Sequence, residues 1–322
     1  MPDSNESYGF NVAAHPNDAF FKVIFSDPEH AAAFFQNHLP AEVTSRIDWQ
    51  SLKLQPGSFV KTTLQQVHSD LLFKTRLDGR ETLLYLLFEH QSTVDSAMPL
   101  RLLGYLTEVL LNHFQHHGLP LPPVLAFVLH QGPERWTVST EFADLFALPD
   151  DLTSVLGRFL PKFQHALLDL SSFDPASEEH DAKNRIVLQL MKLARERQLR
   201  RFFDWLTAEI LPSVHELPES LFKKLLLYAF CTDSDLDREE ILDNLMAIPE
   251  TKNAAMSIAE QLRAEGRAEG RSLGLWVGKI QMLQDLMGLK VTPHDDLAKL
   301  GNAKLEEVFN ELHRQYNVRF KS

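Results

Sequence analysis

Along the chain, the spacing of apolar residues switches between a helical period and a strand period, and the switches mark out the elements. From Asn17, the residues Phe20, Phe21, Ile24 and Phe25 recur three and four apart, which predicts an amphipathic helix with Asn17 as its N-cap. A second short helix follows, with Asp27 as cap, Pro28 at the first helical position and Ala32, Phe34 and Phe35 inward, and it ends before Pro40. Val67 to Leu77 and Thr82 to Gln91 are rich in Leu, Phe, Val, Thr and Tyr and flank the turn residues Asp78-Gly79-Arg80, which predicts a β-hairpin. Residues 98 to 117 return to the helical period through Leu102, Leu103, Leu106, Val109, Leu110 and Phe114, closing at Gly118 and Pro120. Pro123 to His130 is wholly apolar, as suits a buried strand reached by a helical crossover, and Phe163 to Leu170 reads as one more strand.

Strands interleaved with helices make an α/β core over about residues 15 to 175, a mixed sheet flanked by helices. After Pro175 the apolar residues fall at helical spacing nearly to the end, so the rest reads as all helix, with breaks at Pro212 to Pro218, Pro249 and Pro293. The expected division is a first domain over 1–210, whose last part is a basic helix near 180–208, and a helical C-terminal region over 211–322. Residues 1 to 14 carry no apolar period and read as a loose lead-in.

Composition narrows the class. The chain has 322 residues, 32 Lys plus Arg against 44 Asp plus Glu, and a formal charge of −12, which fits a soluble globular protein. An acidic total argues weakly against nonspecific coating of nucleic acid and leaves room for a local basic surface. One cysteine, Cys231, excludes an internal disulfide and a Cys-rich zinc framework. The polar, acidic start and apolar runs far short of about 18 residues predict neither secretion nor membrane insertion, so the chain reads as cytoplasmic.

The hairpin is where chemistry becomes specific. With a two-residue loop of Gly79 and Arg80, Asp78 faces Glu81, Asp70 faces Glu89, and Gln91 lies on the same face opposite His68. Opposed side chains in an antiparallel pair have Cβ atoms about 5 Å apart, so two carboxylates would share one site. Burying both ionised is costly unless a cation joins them, and oxygen ligands suit Mg²⁺ or Mn²⁺. The alternative is that one or both carboxylates lie at a solvated sheet end, paired with Lys74 or Arg76.

The strings HPNDAFFKVIFSDPE, LQPGSFVKTTLQQVHSDLLFK, YLLFEHQS and MPLRLLGYL, in this order from about His15 to Gly132, resemble the Rpn family of recombination-promoting nucleases, also described as YhgA-like transposases. That family is placed in the PD-(D/E)XK nuclease superfamily. The resemblance continues less distinctly to about residue 210. It implies a restriction-endonuclease-like fold and Mg²⁺-dependent hydrolysis of DNA phosphodiesters. Asp70, Glu89 and the backbone carbonyl of His90 would hold the metal, and Asp18 could add a carboxylate unless it serves only the dipole of the first helix. Gln91 stands where the superfamily has Lys. A neutral amide carries no charge and is no base, so its role would be to orient the attacking water. The same departure keeps open a catalytically weak DNA-binding or assembly module derived from a nuclease. A complete transposase is disfavoured, since nothing reads as a recognition helix for transposon ends.

Other signals concern DNA contacts. Lys22 lies in the NDAFFK string, and Arg101 and Tyr105, one turn apart, could meet phosphate or simply line a solvated face. Residues 183 to 201 hold seven basic side chains, including Lys192 and Arg195, against one acidic residue, Glu196. Such a helix could track a DNA backbone, or be an exposed surface balanced by Glu178, Glu179 and Asp181. His90 alternates away from Glu89 and reads as structural. His113, His116 and His117 have ligand-like spacing, but their place before Gly118 suits a helix C-terminus. GLWVGKI lacks both the spacing and the hydroxyl of a phosphate loop. The repeat RAEGRAEGR at residues 263 to 271 suits a helical linker or a seam for homo-oligomer formation, weakened by Gly266 and Gly270 at about 1 kcal/mol each.

Overall fold

A computed structural model describes residues 15–56, 71–78, 80–174, 181–211 and 217–320. In chain order the first elements are α1 (Pro16–Phe25), α2 (Pro28–His38), the single turn α3 (Ala41–Thr44), β1 (Ile47–Leu54), β2 (Leu71–Leu77), β3 (Arg80–Gln91), α4 (Met98–His117) and β4 (Val124–His130). Then come α5 (Asp150–Leu156), β5 (Ala166–Asp169), α6 (Ala182–Arg195), α7 (Leu199–Trp205), α8 (Glu219–Thr232), α9 (Arg238–Met246), α10 (Pro249–Leu286), α11 (His294–Ala298) and α12 (Gly301–Phe320). Every described element after residue 181 is helical, including a π-type turn at Leu206–Ile210. The protein is thus a mixed α/β fold with a helical C-terminal region.

The described strands form one sheet in the order β1-β2-β3-β4-β5, antiparallel through β3 and parallel from β3 to β5. The parallel step is made by α4, the crossover that a parallel neighbour requires. Strand β3 lies inside the sheet and is the longest, so both of its edges are paired. Its two faces are chemically distinct because successive side chains alternate. Phe88 and His90 face α1 and α2, where the Phe88 ring lies 4.7–5.1 Å from those of Phe21, Phe25, Phe34 and Phe35. Each fully buried ring contributes roughly 1.5–3 kcal/mol, so this aromatic layer fixes the sheet against the two helices. Tyr85 faces the other way, into a cluster with Met98, Leu102, Tyr105 and Val109 of α4.

The ends of the helices follow local chemistry. Asp27 caps α2 by accepting from the Glu29 amide at 3.0 Å, and Gly118 closes α4 with φ +76. The expected cap of the first helix is corrected: α1 begins at Pro16 after His15, and the Asn17 side chain is instead taken by Tyr228 of α8, whose hydroxyl donates to it at 2.7 Å. The hairpin register agrees with the sequence reading from Leu71 opposite Phe88 to Arg76 opposite Leu83. Its turn does not: Leu77 pairs with Arg80, and the register shift inserts Glu81 and Thr82 as a bulge, so Asp78 does not face Glu81. Asp78 takes φ +50, which an Asp tolerates in a tight turn. Strand β1 lacks a sequence-level counterpart. The stretch expected to be one basic helix is two, α6 and α7, separated at Glu196–Gln198, where Arg197 has φ +55.

The chain divides into two compact units, Met1–Thr251 and Lys252–Ser322. In the first, α8 packs on α1 and α6, through a face that includes Leu221, Phe222, Leu225, Tyr228 and Ala229. Residues beyond 210 thus take part in the same unit as the sheet. In the second, Val277 and Ile280 of α10 form a small core with Leu297 of α11 and Leu305 of α12. The repeat RAEGRAEGR lies inside α10, which is continuous across both of its glycines.

Candidate active site at the end of strand β3

Glu89 and Gln91 project from the α4 side of β3 and touch each other. The Gln91 amide donates to Glu89 Oε1 at 2.6 Å. From the first turn of α4, Arg101 Nη2 donates to the same oxygen at 2.8 Å, and Nη1 reaches Gln91 Oε1 at 3.4 Å. Glu89 is fully buried, yet its Oε2 has no hydrogen-bond partner among the described residues. A bare oxygen on a buried carboxylate costs on the order of 1–3 kcal/mol or more when left so. Arg101 is further held by Asp95 Oδ2 at 2.8 Å and donates to the Tyr105 hydroxyl at 3.3 Å. Burial works against the Arg101 charge, but the bonds to Asp95 and Tyr105 outweigh it and hold the guanidinium pKa above its ordinary value.

The opposite face of β3 carries a buried polar chain. His90 Nδ1 lies 2.9 Å from Asp18 Oδ1 of α1, and Nε2 lies 2.8 Å from Gln131 Oε1. Each ring nitrogen thus has a side-chain oxygen within hydrogen-bond distance. Gln131 donates through Nε2 to the Met191 carbonyl at 2.7 Å and to the Tyr228 hydroxyl at 2.9 Å. Burial pushes the Tyr228 phenol above the ordinary tyrosine range, against a smaller opposing effect of the Gln131 bond. The Gln131 backbone N–H also donates to Gln91 O at 2.7 Å, which continues the β3–β4 ladder. The end of β3 is therefore fixed through its backbone and from behind.

Several sequence-level candidates fall elsewhere. Asp70 and His68 lie outside the described residues, so the pairing of Asp70 with Glu89 is a matter for proposal. Asp18 meets β3 from the His90 side, away from Glu89, and its carboxylate is engaged there; it does not join a shared carboxylate face. Tyr105 is corrected as a phosphate contact, because it is completely buried in the α4 cluster and serves Arg101 instead. Arg101 is also corrected in that role: its four terminal N–H groups are directed at Glu89, Gln91, Asp95 and Tyr105. Lys22 is half-buried in the last turn of α1. Lys192 donates to the Phe173 carbonyl at 2.8 Å, while Arg195 is exposed, and the two line a small crevice with Gln131 and Gly132. Within the same basic stretch, Arg200 pairs with Glu240, Arg201 bonds Gln198, and the Arg185 guanidinium lies over Trp205. His113 is buried beside the Tyr85 hydroxyl, and His116 bonds the Asn112 carbonyl. Among the described residues no group of three or more His, Cys, Asp or Glu gathers as a metal cluster, and no helix is long and apolar enough to cross a membrane. Asp95 was missed. Its only sequence signal is an acidic residue six positions before an arginine in the first turn of an apolar helix.

A mixed sheet whose crossover helix closes a buried Glu–Gln–Arg constellation defines an α/β protein with a polar site at a strand end. Residues 15–220 match the family model "Putative transposase, YhgA-like", and the chain belongs to that family. It is similar to the recombination-promoting nuclease RpnA of Escherichia coli K12, with 28% identity over 88% of this chain and 96% of the relative. It is 29% identical to the recombination-promoting nuclease RpnD of Escherichia coli O157:H7, over 77% of this chain and 94% of the relative. The inactive recombination-promoting nuclease-like protein RpnE of Escherichia coli K12 is 28% identical over 82% of this chain and 87% of its own. No solved structure matches the chain.

Proposed function

We propose that this protein is a metal-dependent DNA endonuclease of the PD-(D/E)XK type, acting at Asp70, Glu89 and Gln91 with Mg²⁺ or Mn²⁺. The observation that carries the reading is the bare, buried Oε2 of Glu89, in a chain whose relatives are named recombination-promoting nucleases. The donor set fits a hard cation. Carboxylate and carbonyl oxygens are what Mg²⁺ takes, and the proposed ligands are all oxygens. The sequence reading of the hairpin sets Asp70, which lies outside the described residues, against Glu89, so the proposed ligands are those two carboxylates and the His90 carbonyl. When bound, such a cation polarises a phosphate and acidifies water.

The residues of the chain do the rest. Glu89 offers Oε2 and keeps Oε1 on its donors. Gln91 can hydrogen-bond and cannot titrate, so its part is orientation of water rather than proton transfer. Asp18, His90 and Gln131 hold the strand end from the other face, which keeps the His90 peptide still. Lys22, Lys192 and Arg195 are the cations proposed to follow a DNA backbone, Arg195 being exposed and the two lysines half-buried, and electrostatic contacts of this kind weaken steeply with salt. Self-association through the C-terminal helices, and a cytoplasmic site of action, complete the proposal.

The test is supercoiled plasmid incubated with the purified protein and Mg²⁺ or Mn²⁺, with and without EDTA. Nicking that EDTA abolishes and that Asp70→Ala and Glu89→Ala both remove supports the reading. A well-folded Asp70→Ala protein that still cuts refutes it. Two observations favour a second reading, a catalytically weak binding module: the Gln91 amide donates to Glu89, and RpnE, a relative over most of the chain, is named inactive. Plasmid binding without nicking in either metal would select that reading.

A further inference from the structure

The cation beside Glu89 needs explanation. An arginine placed alone on a carboxylate makes a neutral pair, and a neutral pair is a poor site for a dication. Here Arg101 does not stand alone: Nη2 takes Glu89 Oε1 and Nη1 takes Asp95 Oδ2, both at 2.8 Å. Glu89, Asp95 and Arg101 together therefore keep one net negative charge. Both donors to Glu89, Arg101 and Gln91, converge on Oε1, so the second oxygen is left over by construction. The guanidinium is only a quarter exposed, and Tyr105, buried beneath it, fixes its plane. Such an arrangement has no spare terminal N–H for a ligand, which separates it from a phosphate clamp.

We infer that Asp95 and Arg101 are positioning residues for the metal site: Arg101 clamps Glu89 through Oε1 so that Oε2 is the ligating oxygen, and Asp95 cancels the charge that Arg101 would otherwise set against the cation. This inference rests on the reading of Glu89 as a metal ligand. It assigns opposite electrostatic signs to two residues in one hydrogen-bonded group, which a merely structural ion pair would not have. Loss of Asp95 exposes the cation to an uncompensated arginine. Loss of Arg101 removes a repulsive charge and at the same time frees the carboxylate to turn.

The experiment uses the full chain and measures Mn²⁺ affinity by calorimetry beside Mg²⁺-dependent plasmid nicking. Asp95→Asn, which keeps an oxygen for Arg101, should raise the Mn²⁺ dissociation constant on the order of tenfold, the effect of one charge at short range in a partly solvated site. Arg101→Gln should leave that constant unchanged or lower it, while the nicking rate at saturating metal falls on the order of tenfold or more. Arg101→Lys keeps the charge without the planar fork, so it should bind Mn²⁺ as the parent does and cut slowly. If Arg101→Gln does not fold, Asp95→Asn and Arg101→Lys decide the matter. Equal weakening of Mn²⁺ binding in Asp95→Asn and the folded Arg101 variant, or parental binding in Asp95→Asn, overturns the inference. Glu89→Gln separates the two levels: if it binds Mn²⁺ as the parent does, the metal reading itself falls and this inference with it. If Glu89→Gln abolishes binding and the opposite shifts are absent, only the roles of Asp95 and Arg101 fall.

Discussion

Tyr228→Phe removes one oxygen from behind the site and leaves the packing in place, so its cost can be worked from the contacts. The Tyr228 ring stacks on Phe20 with centroids 4.0 Å apart and 11° between planes, and phenylalanine keeps that contact. The hydroxyl accepts from Gln131 Nε2 and donates to Asn17 Oδ1. After the change Gln131 still has the Met191 carbonyl for one amide hydrogen, but its second is stranded where only 1% of the residue is exposed. A stranded buried donor costs about 1–3 kcal/mol. Asn17 is half-buried, so water can replace the lost bond there at little cost. The expected loss is therefore about 2 kcal/mol, which for a cooperative unit of this size is a fall in Tm of roughly 4–8 °C. Scanning calorimetry of the full chain reads it directly. A double-mutant cycle with Asn17→Ala should show a coupling of roughly 0.5 kcal/mol or more, since the two side chains share a bond. A fall below about 1 °C would refute the view that α8 is tied into the sheet unit through this hydroxyl.

The other predictions concern close packing, pH and the long helix. Gly132→Ala should destabilise the protein by about 1–3 kcal/mol, because a Cβ there meets the buried His130 ring, which is held by its bond to the Glu134 carbonyl, and crowds Ser92 O at 3.2 Å; urea unfolding measures the change. Gly266→Ala and Gly270→Ala should each stabilise the helical C-terminal unit by roughly 0.5–1 kcal/mol, since a Cβ at either position meets nothing within 4 Å. Burial lowers His38 and His165 from 6.5 to about 4. The unfolded chain takes up these protons near pH 6.5 and the folded chain resists until about pH 4, so stability is full above 6.5 and declines between 6.5 and 4. Urea midpoints should be lower at pH 5 than at pH 7, and His165→Phe should reduce the difference.

Legibility in the sequence followed the range of the interactions involved. The α1 and α2 helices, the hairpin, α4 and β4 depend on local period, and the pattern of Phe, Leu and Val identifies them. Strand β1 was unreadable because Asp48, Gln50 and Lys53 interrupt it and only Ile47 and Leu52 are buried, as befits a strand at the edge of the described part of the sheet. The true start of α1 was hidden because Asn17 has a partner 211 positions away, which no capping rule can see. At the site, alternation along β3 was enough to put Glu89 with Gln91 and to turn His90 away. It could not find Asp95 or the other partners of Arg101, since these meet only once α4 folds back along the sheet. The tight turn differed for a related reason: a bulge conserves the register of the strand while changing which residues close the loop, and two-residue loops can be drawn from the same Asp-Gly-Arg string in more than one way.

The bulge at Glu81 and Thr82 also bears on how this family can change length. Near the turn, an added or lost residue is absorbed by a strand already out of step, and the pairing beyond it is untouched. Past Tyr85 the strand has no such slack. One inserted codon there would exchange inside for outside, sending the acid of Glu89 into the phenylalanine layer and the imidazole of His90 to the side of the arginine. Natural insertions in related chains should therefore gather at the hairpin tip and be absent from the six residues that end in Gln91.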